Sequence, residues 1–397
     1  MDKSVIGLLV GTFFMMTTWS CNTAELDTDE EEIEDVVEQS AISSVFGGRI
    51  DMNNLHNYSN QQIPAYIEKD NTAGNQITNE GATLGRVLFY DQSLSSDNSI
   101  SCASCHKQEF GFGDDAIASV GVNGTTGRHS MRLINARFAD EDQFFWDERA
   151  GSLEIQTTQP IQDHVEMGFS GNDGDENIDD LIVKLQAIPY YQELFTHAFG
   201  DENITENRMQ NALAQFIRSI QSFDSRYDNG LADANNNTGA NFSNYSVEEN
   251  AGKRLFMGGT DFNNNGVRIG GGLGCNSCHR SPEFDIDPRS NNNGVVSAIG
   301  GGSDFNVTRS PSLRDLFNAS GNSNGLFMHT GDMDIEGVLD HYNNITASQN
   351  TDRRLSRGGG QNLAMTIEEK EAVIAFLKTL SGSDVYSNEM WSDPFSE

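Results

Sequence analysis

Two pentapeptides carry the residue types best suited to redox chemistry. Cys102-Ala103-Ser104-Cys105-His106 and Cys275-Asn276-Ser277-Cys278-His279 share the pattern C-x-x-C-H and use four of the five cysteines. Two thiols three positions apart can form thioethers to both vinyl groups of a haem, and the adjoining histidine is placed to ligate iron. Other uses of paired cysteines fit less well. A redox dithiol does not call for a histidine directly after each pair. A zinc site made from two C-x-x-C pairs separates them by roughly two dozen residues, far less than the interval here. The expectation is two covalently bound c-type haems, one on Cys102 and Cys105 with His106 as proximal ligand, the other on Cys275 and Cys278 with His279.

The elements that must position these motifs repeat along the chain. Gly85-Arg86-Val87-Leu88-Phe89 precedes the first motif and Gly252-Lys253-Arg254-Leu255-Phe256 the second. Arg128-His129-Ser130-Met131-Arg132-Leu133 follows the first and Arg309-Ser310-Pro311-Ser312-Leu313-Arg314 the second. The pattern predicts two cytochrome c-like haem domains related by duplication. Met209, Leu213, Phe216, Ile217 and Ile220 share one helical face over 205–223, and Ser246-Val247-Glu248-Glu249 and Thr366-Ile367-Glu368-Glu369 are capping boxes that start helices. The second launches a terminal helix that ends before Gly382. Strand signals are few and short, so the fold class is mainly α with long irregular loops.

Residues 1–21 read as a lipoprotein-type signal peptide: Lys3, then an uncharged apolar run from Val5 to Trp19, too short for a comfortable membrane span. Cys21 resembles a lipidation site, although Thr18 and Trp19 are poor matches to the residues usual there, and ordinary cleavage nearby is the alternative. Either way the chain is exported, to the periplasm or cell envelope, which suits haem attachment outside the cytoplasm. Residues 22–48 read as an acidic linker, 49–228 as the N-terminal haem domain, 229–382 as the C-terminal haem domain and 383–397 as a tail, with the join near 224–246. The 59 Asp and Glu against 25 Lys and Arg give a formal net charge of −34, which excludes nucleic-acid backbone binding as a main activity. The same charge would steer a basic electron-carrier protein, and equally suits a solvated surface. Asp261, Asn263, Asn265 and Gly266 match half of a calcium loop, but Gly272 stands where an EF-hand needs glutamate, and Asn-Gly turns give the same pattern.

The segments LGRVLFYD, SCASCH, FGFGD, FFWDERAGSLEIQ, PIQDHVEMG, TRSPSLRD and FMHTG stand in one order between about residues 80 and 382. In these the chain resembles the bacterial di-haem cytochrome c peroxidases, the family that also contains the tryptophan-modifying enzyme MauG. The resemblance implies that the N-terminal haem meets peroxide and the C-terminal haem passes electrons to it. It implies a catalytic glutamate at Glu166 in Glu166-Met167-Gly168, an active-site glutamine at Gln156 and an inter-haem tryptophan at Trp146. The chemistry wants those types: a carboxylate to carry a proton between peroxide oxygens, an amide to orient peroxide, an oxidisable indole between haems. On residue type alone, Glu166 is one of 59 acids, Gln156 a helix-surface amide and Trp146 a core aromatic.

Two departures mark the branch. The family's peroxidases carry a distal histidine shortly before an R-N-x-P-type motif, yet Ser119 to Gly127 contains none. His129 is the nearest substitute, and it occupies the place of an asparagine that helps bind a calcium ion between the family's domains, which weakens that calcium expectation. The family's usual sixth ligand to the second haem is a methionine, and Tyr342 falls at or near its position, as the axial tyrosine does in MauG. His341, Met328 and Met333 are alternatives, and a buried structural tyrosine is another. His329 is expected as a propionate or outer contact of the second haem.

The expectation is an exported di-haem peroxidase that reduces hydrogen peroxide to water with electrons from a small donor such as a cytochrome c or cupredoxin. It touches the membrane through a lipid anchor alone, and the family implies a homodimer. The alternatives are a MauG-like enzyme that oxidises a residue of a partner protein and a non-catalytic di-haem electron carrier. Haem quantification should give two haems per purified chain and one after Cys102 and Cys105 are both changed to Ser; a parent protein with one or none would contradict the motif reading.

Overall fold

The computed structural model describes residues 40–140 and 143–395. The expected signal peptide, Cys21 and the acidic stretch up to Gln39 lie outside the described residues. Residues from Ser40 onward form one compact unit. Its helices are α1 (Ala41–Phe46), α2 (Asn79–Tyr90), α3 (Cys102–Cys105), α4 (Leu153–Thr158), α5 (Ile178–Gln186), α6 (Pro189–Phe199), α7 (Glu206–Ser219), α8 (Arg226–Asp233), α9 (Val247–Met257), α10 (Ile335–Asn343) and α11 (Ile367–Lys378). Strands among the described residues make four two-stranded antiparallel pairs: β1 (Val120–Gly121) with β2 (Gly124–Thr125), β3 (Thr260–Phe262) with β4 (Arg268–Gly271), β5 (His279–Arg280) with β6 (Asp285–Ile286), and β7 (Asn344–Thr346) with β8 (Gly360–Asn362). Long loops join them.

Helix boundaries follow local capping chemistry. Thr78 accepts from Gly81 N–H at 2.9 Å to start α2, and Thr205 accepts from Arg208 N–H at 3.2 Å to start α7. The capping boxes at Ser246 and Thr366 form as read, opening α9 and α11. The helix expected over 205–223 is shorter, because Ile220 leaves helical geometry and serves as its C-cap.

Two helix crossings organise the unit, α2 on α7 and α9 on α11. Each needs a glycine. A Cβ on Gly85 would overlap the Ala212 carbonyl and crowd Phe216; a Cβ on Gly252 would overlap the Ala372 carbonyl and crowd Phe376. Both repeated G-x-x-L-F segments therefore place glycine against the carbonyl of an alanine four residues before a phenylalanine. The glycines let backbones meet closely enough to bury Leu88 and Phe89 in one cluster and Phe256 in the other.

Apolar side chains gather in two clusters. The first holds α2, α6 and α7 with Phe112 and Phe169; the second holds Tyr227, Phe242, Phe284, Phe376 and Leu380. Two sequence expectations change. The linker read over 22–48 gives way by Ser40: α1 buries Ile42 and Phe46 in the first cluster, and Ala41 N–H reaches Glu193 at 2.7 Å. The segment read as a tail is packed, with Val385 and Trp391 in that same cluster and the indole of Trp391 donating to Ser219 at 3.2 Å. Both segments were read by charge and position, while their few apolar residues found partners remote in sequence. The expected join carries α8, whose Asp228 meets the wholly buried Arg314 at 2.9 and 3.0 Å and accepts from Tyr66 at 2.5 Å. The calcium-like segment is the turn of the β3–β4 hairpin, and Asn263 Oδ1 is taken by the amides of Asn265 and Val267 at 2.9 and 3.1 Å.

Gly85→Ala and Gly252→Ala should each destabilise the protein by about 1–3 kcal/mol through overpacking, whereas Gly74→Ala, where a Cβ meets nothing within 4 Å, should change little. Urea unfolding compares the three; equal behaviour would remove the crossings from their organising role.

Candidate functional site

The first motif occupies α3, which Ser101 and Ser104 cap reciprocally, the Ser101 amide donating to Ser104 Oγ at 3.0 Å. One turn of helix sets Cys102 and Cys105 on the same face and delivers His106 as the C-cap. The His106 Nδ1 lies 3.2 Å from the Phe112 carbonyl, so Nδ1 carries the proton and Nε2 is left with its lone pair, the arrangement of an iron-ligating histidine. Burial lowers the pKa of that imidazole, which keeps it neutral. Burial also pushes the Cys102 thiol up to about 12 and the Cys105 thiol up to about 11. Thiols that resist ionisation make poor dithiol redox nucleophiles, which disfavours the thioredoxin-like reading.

Glu166 is brought to this motif by a backbone clamp. The β1–β2 turn donates from Val122 N–H to the Glu166 carbonyl at 3.0 Å and from Asn123 N–H to the Val165 carbonyl at 3.2 Å. Gly121 permits the approach, since a Cβ there would overlap the Val165 carbonyl. The Glu166 carboxylate is half-buried and electrostatically coupled to both Cys102 and Cys105. Burial pushes its pKa up to about 7, Asp163 adds to the rise and Arg149 opposes it. Gln156 sits partly buried on α4, and among the described residues no hydrogen bond joins its amide to Glu166.

The second motif lines a cavity of about 500 Å³ with Cys275, Cys278 and His279 in one wall and Leu273, Leu316, Phe327, Leu339, Leu363 and Leu377 among the apolar rest. The volume suits a cofactor. Burial and the charge of Arg354 hold His279 down to about 4, so the ring is neutral, and its buried Nδ1 has no partner. Arg354 fixes the motif loop, donating to the Ser277 carbonyl at 2.7 Å while it pairs with Asp352 at 2.8 Å and Asp287 at 3.2 Å. An apolar slot closed by two thiols and an unionised imidazole fits a covalently held porphyrin. Tyr342 and Met328 face this cavity. His341 instead directs Nε2 to the Asn293 carbonyl at 3.0 Å, and Met333 is not in the cavity wall.

Trp146 stands where the two halves meet. Its indole N–H donates to the His129 carbonyl at 2.7 Å, its ring centroid lies 6.2 Å from that of His329, and its carbonyl accepts from Arg309 N–H at 2.7 Å. Arg128 locks the arrangement by pairing with Asp147 at 2.8 Å and Asp304 at 2.7 Å. His129, weighed above as a distal ligand of the first haem, stands at the junction beside Trp146. It is buried in the wall of the second cavity, with Nδ1 2.8 Å from the Ala116 carbonyl and its amide bonded to the His329 carbonyl at 2.9 Å. His329 sets Nε2 3.2 Å from the Ser297 carbonyl. Neither the Arg128 clamp nor the His129–His329 junction was legible in sequence; the repeated Arg at 128 and 309 was the one available signal.

The profile of the di-haem cytochrome c peroxidase family matches residues 79–236. The methylamine utilization protein MauG of Methylorubrum extorquens is 30% identical over 327 residues, covering 77% of this chain and 79% of that protein. The chain belongs to the di-haem cytochrome c peroxidase and MauG family. The family carries two c-type haems, matching the two motifs. Cytochrome c551 peroxidase of Nitrosomonas europaea is 26% identical, covering 76% of this chain and 80% of that protein. A crystal structure of a MauG-like protein associated with microbial copper homeostasis superposes with a TM-score of 0.66 at 26% identity, over 85% of this chain and 99% of that one.

Arg128→Met, which leaves Asp147 and Asp304 facing each other, should cost about 1.5–3 kcal/mol, the range for hydrogen bonds to charged groups, in urea unfolding of the two-haem protein, with haem content unchanged. A cost near zero would show that the clamp does not hold the Trp146 loop.

Proposed function

We propose that the chain is an exported di-haem peroxidase, lipid-anchored through Cys21 in the periplasm or cell envelope, that reduces hydrogen peroxide to two waters with two electrons and two protons. The electrons come from a small donor protein of the cytochrome c or cupredoxin kind. The bound haems supply the redox chemistry, and the chain's own groups supply position and protons.

The observation that carries this reading is Glu166, a half-buried carboxyl whose charge acts on the thiols of Cys102 and Cys105 and whose pKa burial pushes up to about 7. A group so poised is divided between its two forms at neutral pH, so its carboxylate accepts a proton from one peroxide oxygen and returns it to the other as that oxygen leaves. Gln156 is assigned to orient peroxide, a role carried by the family alignment. Trp146 is assigned as the path for electrons from the second haem to the first, supported by its place at the junction and in the wall of the second cavity. Tyr342 is assigned as sixth ligand of the haem on Cys275 and Cys278, supported by its place in the same cavity wall.

The two haem domains, 49–228 and 229–382, are read as products of duplication. The equivalent glycine crossings at Gly85 and Gly252 support this, since both halves solve the same close approach with the same residues. The second reading is a MauG-like enzyme that draws electrons from a residue of a partner protein. Tyr342 in the second cavity favours it, as does the lack of a histidine between Ser119 and Gly127.

The fully oxidised protein mixed with one equivalent of peroxide should change its haem spectrum at once, and the rate should rise with pH through about 7 as Glu166 ionises. Glu166→Gln should remove that limb and slow the reaction by about 10²–10⁴-fold. A parent protein inert to peroxide both before and after one-electron reduction would leave the electron-carrier reading. Trp146→Phe should preserve the fast reaction of the first haem and slow reoxidation of the second; equal rates would remove Trp146 from the path.

A further inference from the structure

The wall of the second cavity carries a charge balance opposite to that of the chain. Three arginines line it, Arg132, Arg354 and Arg357, against one acid, Asp352, in a protein of formal net charge −34. Asp352 is spent on Arg354 at 2.8 Å and on the Asn291 amide at 2.9 Å. Arg354 is also held by Asp287 at 3.2 Å and by the Ser277 carbonyl at 2.7 Å. Arg357 is exposed, its guanidinium carbon 5.2 Å from the centre of the Phe262 ring. That leaves Arg132 as the enclosed cation without a counter-charge.

Among the described residues Arg132 makes no ion pair, and its buried Nε has no hydrogen-bond partner. Burial holds its pKa down to about 10, whereas Arg354, bonded to Asp352, is raised instead. Tyr386 and Asp315 act on Arg132 through space only. Asp315 Oδ1 is taken by the Gly382 amide at 2.8 Å and the Tyr386 hydroxyl at 3.0 Å. Packing places the arginine side chain: a Cβ on Gly113 would meet its Cγ at 2.8 Å, and its guanidinium carbon lies 5.6 Å from the centre of the Phe327 ring. Gly113 belongs to the loop directly after the first motif, where its carbonyl accepts from Lys107 N–H at 2.9 Å. The stem of Arg132 therefore rests on the first site's loop while the head lines the second cavity, in the wall that also holds His129 and Trp146. A guanidinium enclosed without a carboxylate is costly, and its planar fork is shaped to make two parallel bonds to one.

We propose that Arg132 is a positioning residue that pairs with a carboxylate of the haem on Cys275 and Cys278. A haem attached through its vinyl groups keeps both propionate side chains free as carboxylates. The pairing supplies the counter-charge that this wall lacks, and it sets the carboxylate side of that haem toward the stretch of wall that holds Trp146. Reduction adds an electron to the haem, so a cation fixed beside it favours the reduced form. Arg132 thereby raises the reduction potential of the second haem above that of the same site without it. The inference rests on haem attachment at Cys275 and Cys278 and is independent of the ligand role assigned to Tyr342.

The test is a spectroelectrochemical titration of the two-haem protein, with resonance Raman spectra of the same samples. The second haem is recognised by the bands that remain when Cys102 and Cys105 are both changed to Ser. Arg132→Met keeps an unbranched stem without charge. It should shift the reduction equilibrium of the second haem tenfold or more toward the oxidised form, a fall of about 59 mV, and move that haem's propionate bending band toward weaker hydrogen bonding. Arg132→Lys should hold the potential near the parent's while still moving the band, since the charge stays and the fork is lost. Arg353→Met, which removes an exposed cation outside the cavity wall, should change neither. An Arg132→Met protein with two haems and the parent's potential and band overturns the pairing. So does a lowered potential with an unmoved band, the mark of a charge acting through space alone, or a change confined to the first haem. If Arg132→Met does not hold haem, an unmoved band in Arg132→Lys overturns the pairing by itself. A parent with fewer than two haems is a different failure, that of the attachment reading.

Discussion

Two backbones pressed together at glycine set the frame on which the rest is hung. Where α2 crosses α7 and α9 crosses α11, there is no room for a Cβ between Gly85 and Ala212 or between Gly252 and Ala372. Close crossings of this kind bury more apolar surface per residue than a looser contact would. They suit a protein in which a large flat prosthetic group must occupy much of each interior. The helices supply one firm wall of each site, and irregular loops carrying the cysteines, histidines and acids supply the others.

Polar groups join the two halves where apolar packing does not. Arg314 is wholly buried against Asp228, which also receives Tyr66 from the first part of the chain, and Arg128 joins Asp147 to Asp304. Burial of charge is costly unless the partner geometry is specific, so these pairs fix relative placement more than they add stability. Placement is what electron transfer between haems needs. Trp146 sits inside this network, its N–H given to a backbone carbonyl and its loop held from both sides.

The two sites differ in the polar company they keep. The first gathers a carboxyl that titrates near neutrality, suited to moving protons. The second gathers neutral or hard-to-ionise groups, His279, Tyr342 and the buried thiols, in an apolar slot, suited to exchanging electrons without protons. That division of labour is consistent with the proposed reaction, in which protons and electrons are consumed at one end and electrons enter at the other.

The attachment motifs, the family, the mainly helical class and the capping boxes at Ser246 and Thr366 were all legible in the sequence, because each depends on residues adjacent or one helical turn apart. Glu166, Gln156 and Trp146 are singled out only through resemblance, since nothing local distinguishes one acid, amide or indole from its neighbours of the same type. Tertiary structure alone decided the rest. It set His129 at the junction beside Trp146, packed residues 383–395 and α1 into the first cluster, turned Asn263 inward to its own hairpin, and set Asn293 against Met328. The physical reason is the same in each case: these outcomes depend on which distant backbone presents a free carbonyl, amide or apolar face, and that is determined only when the chain has closed on itself.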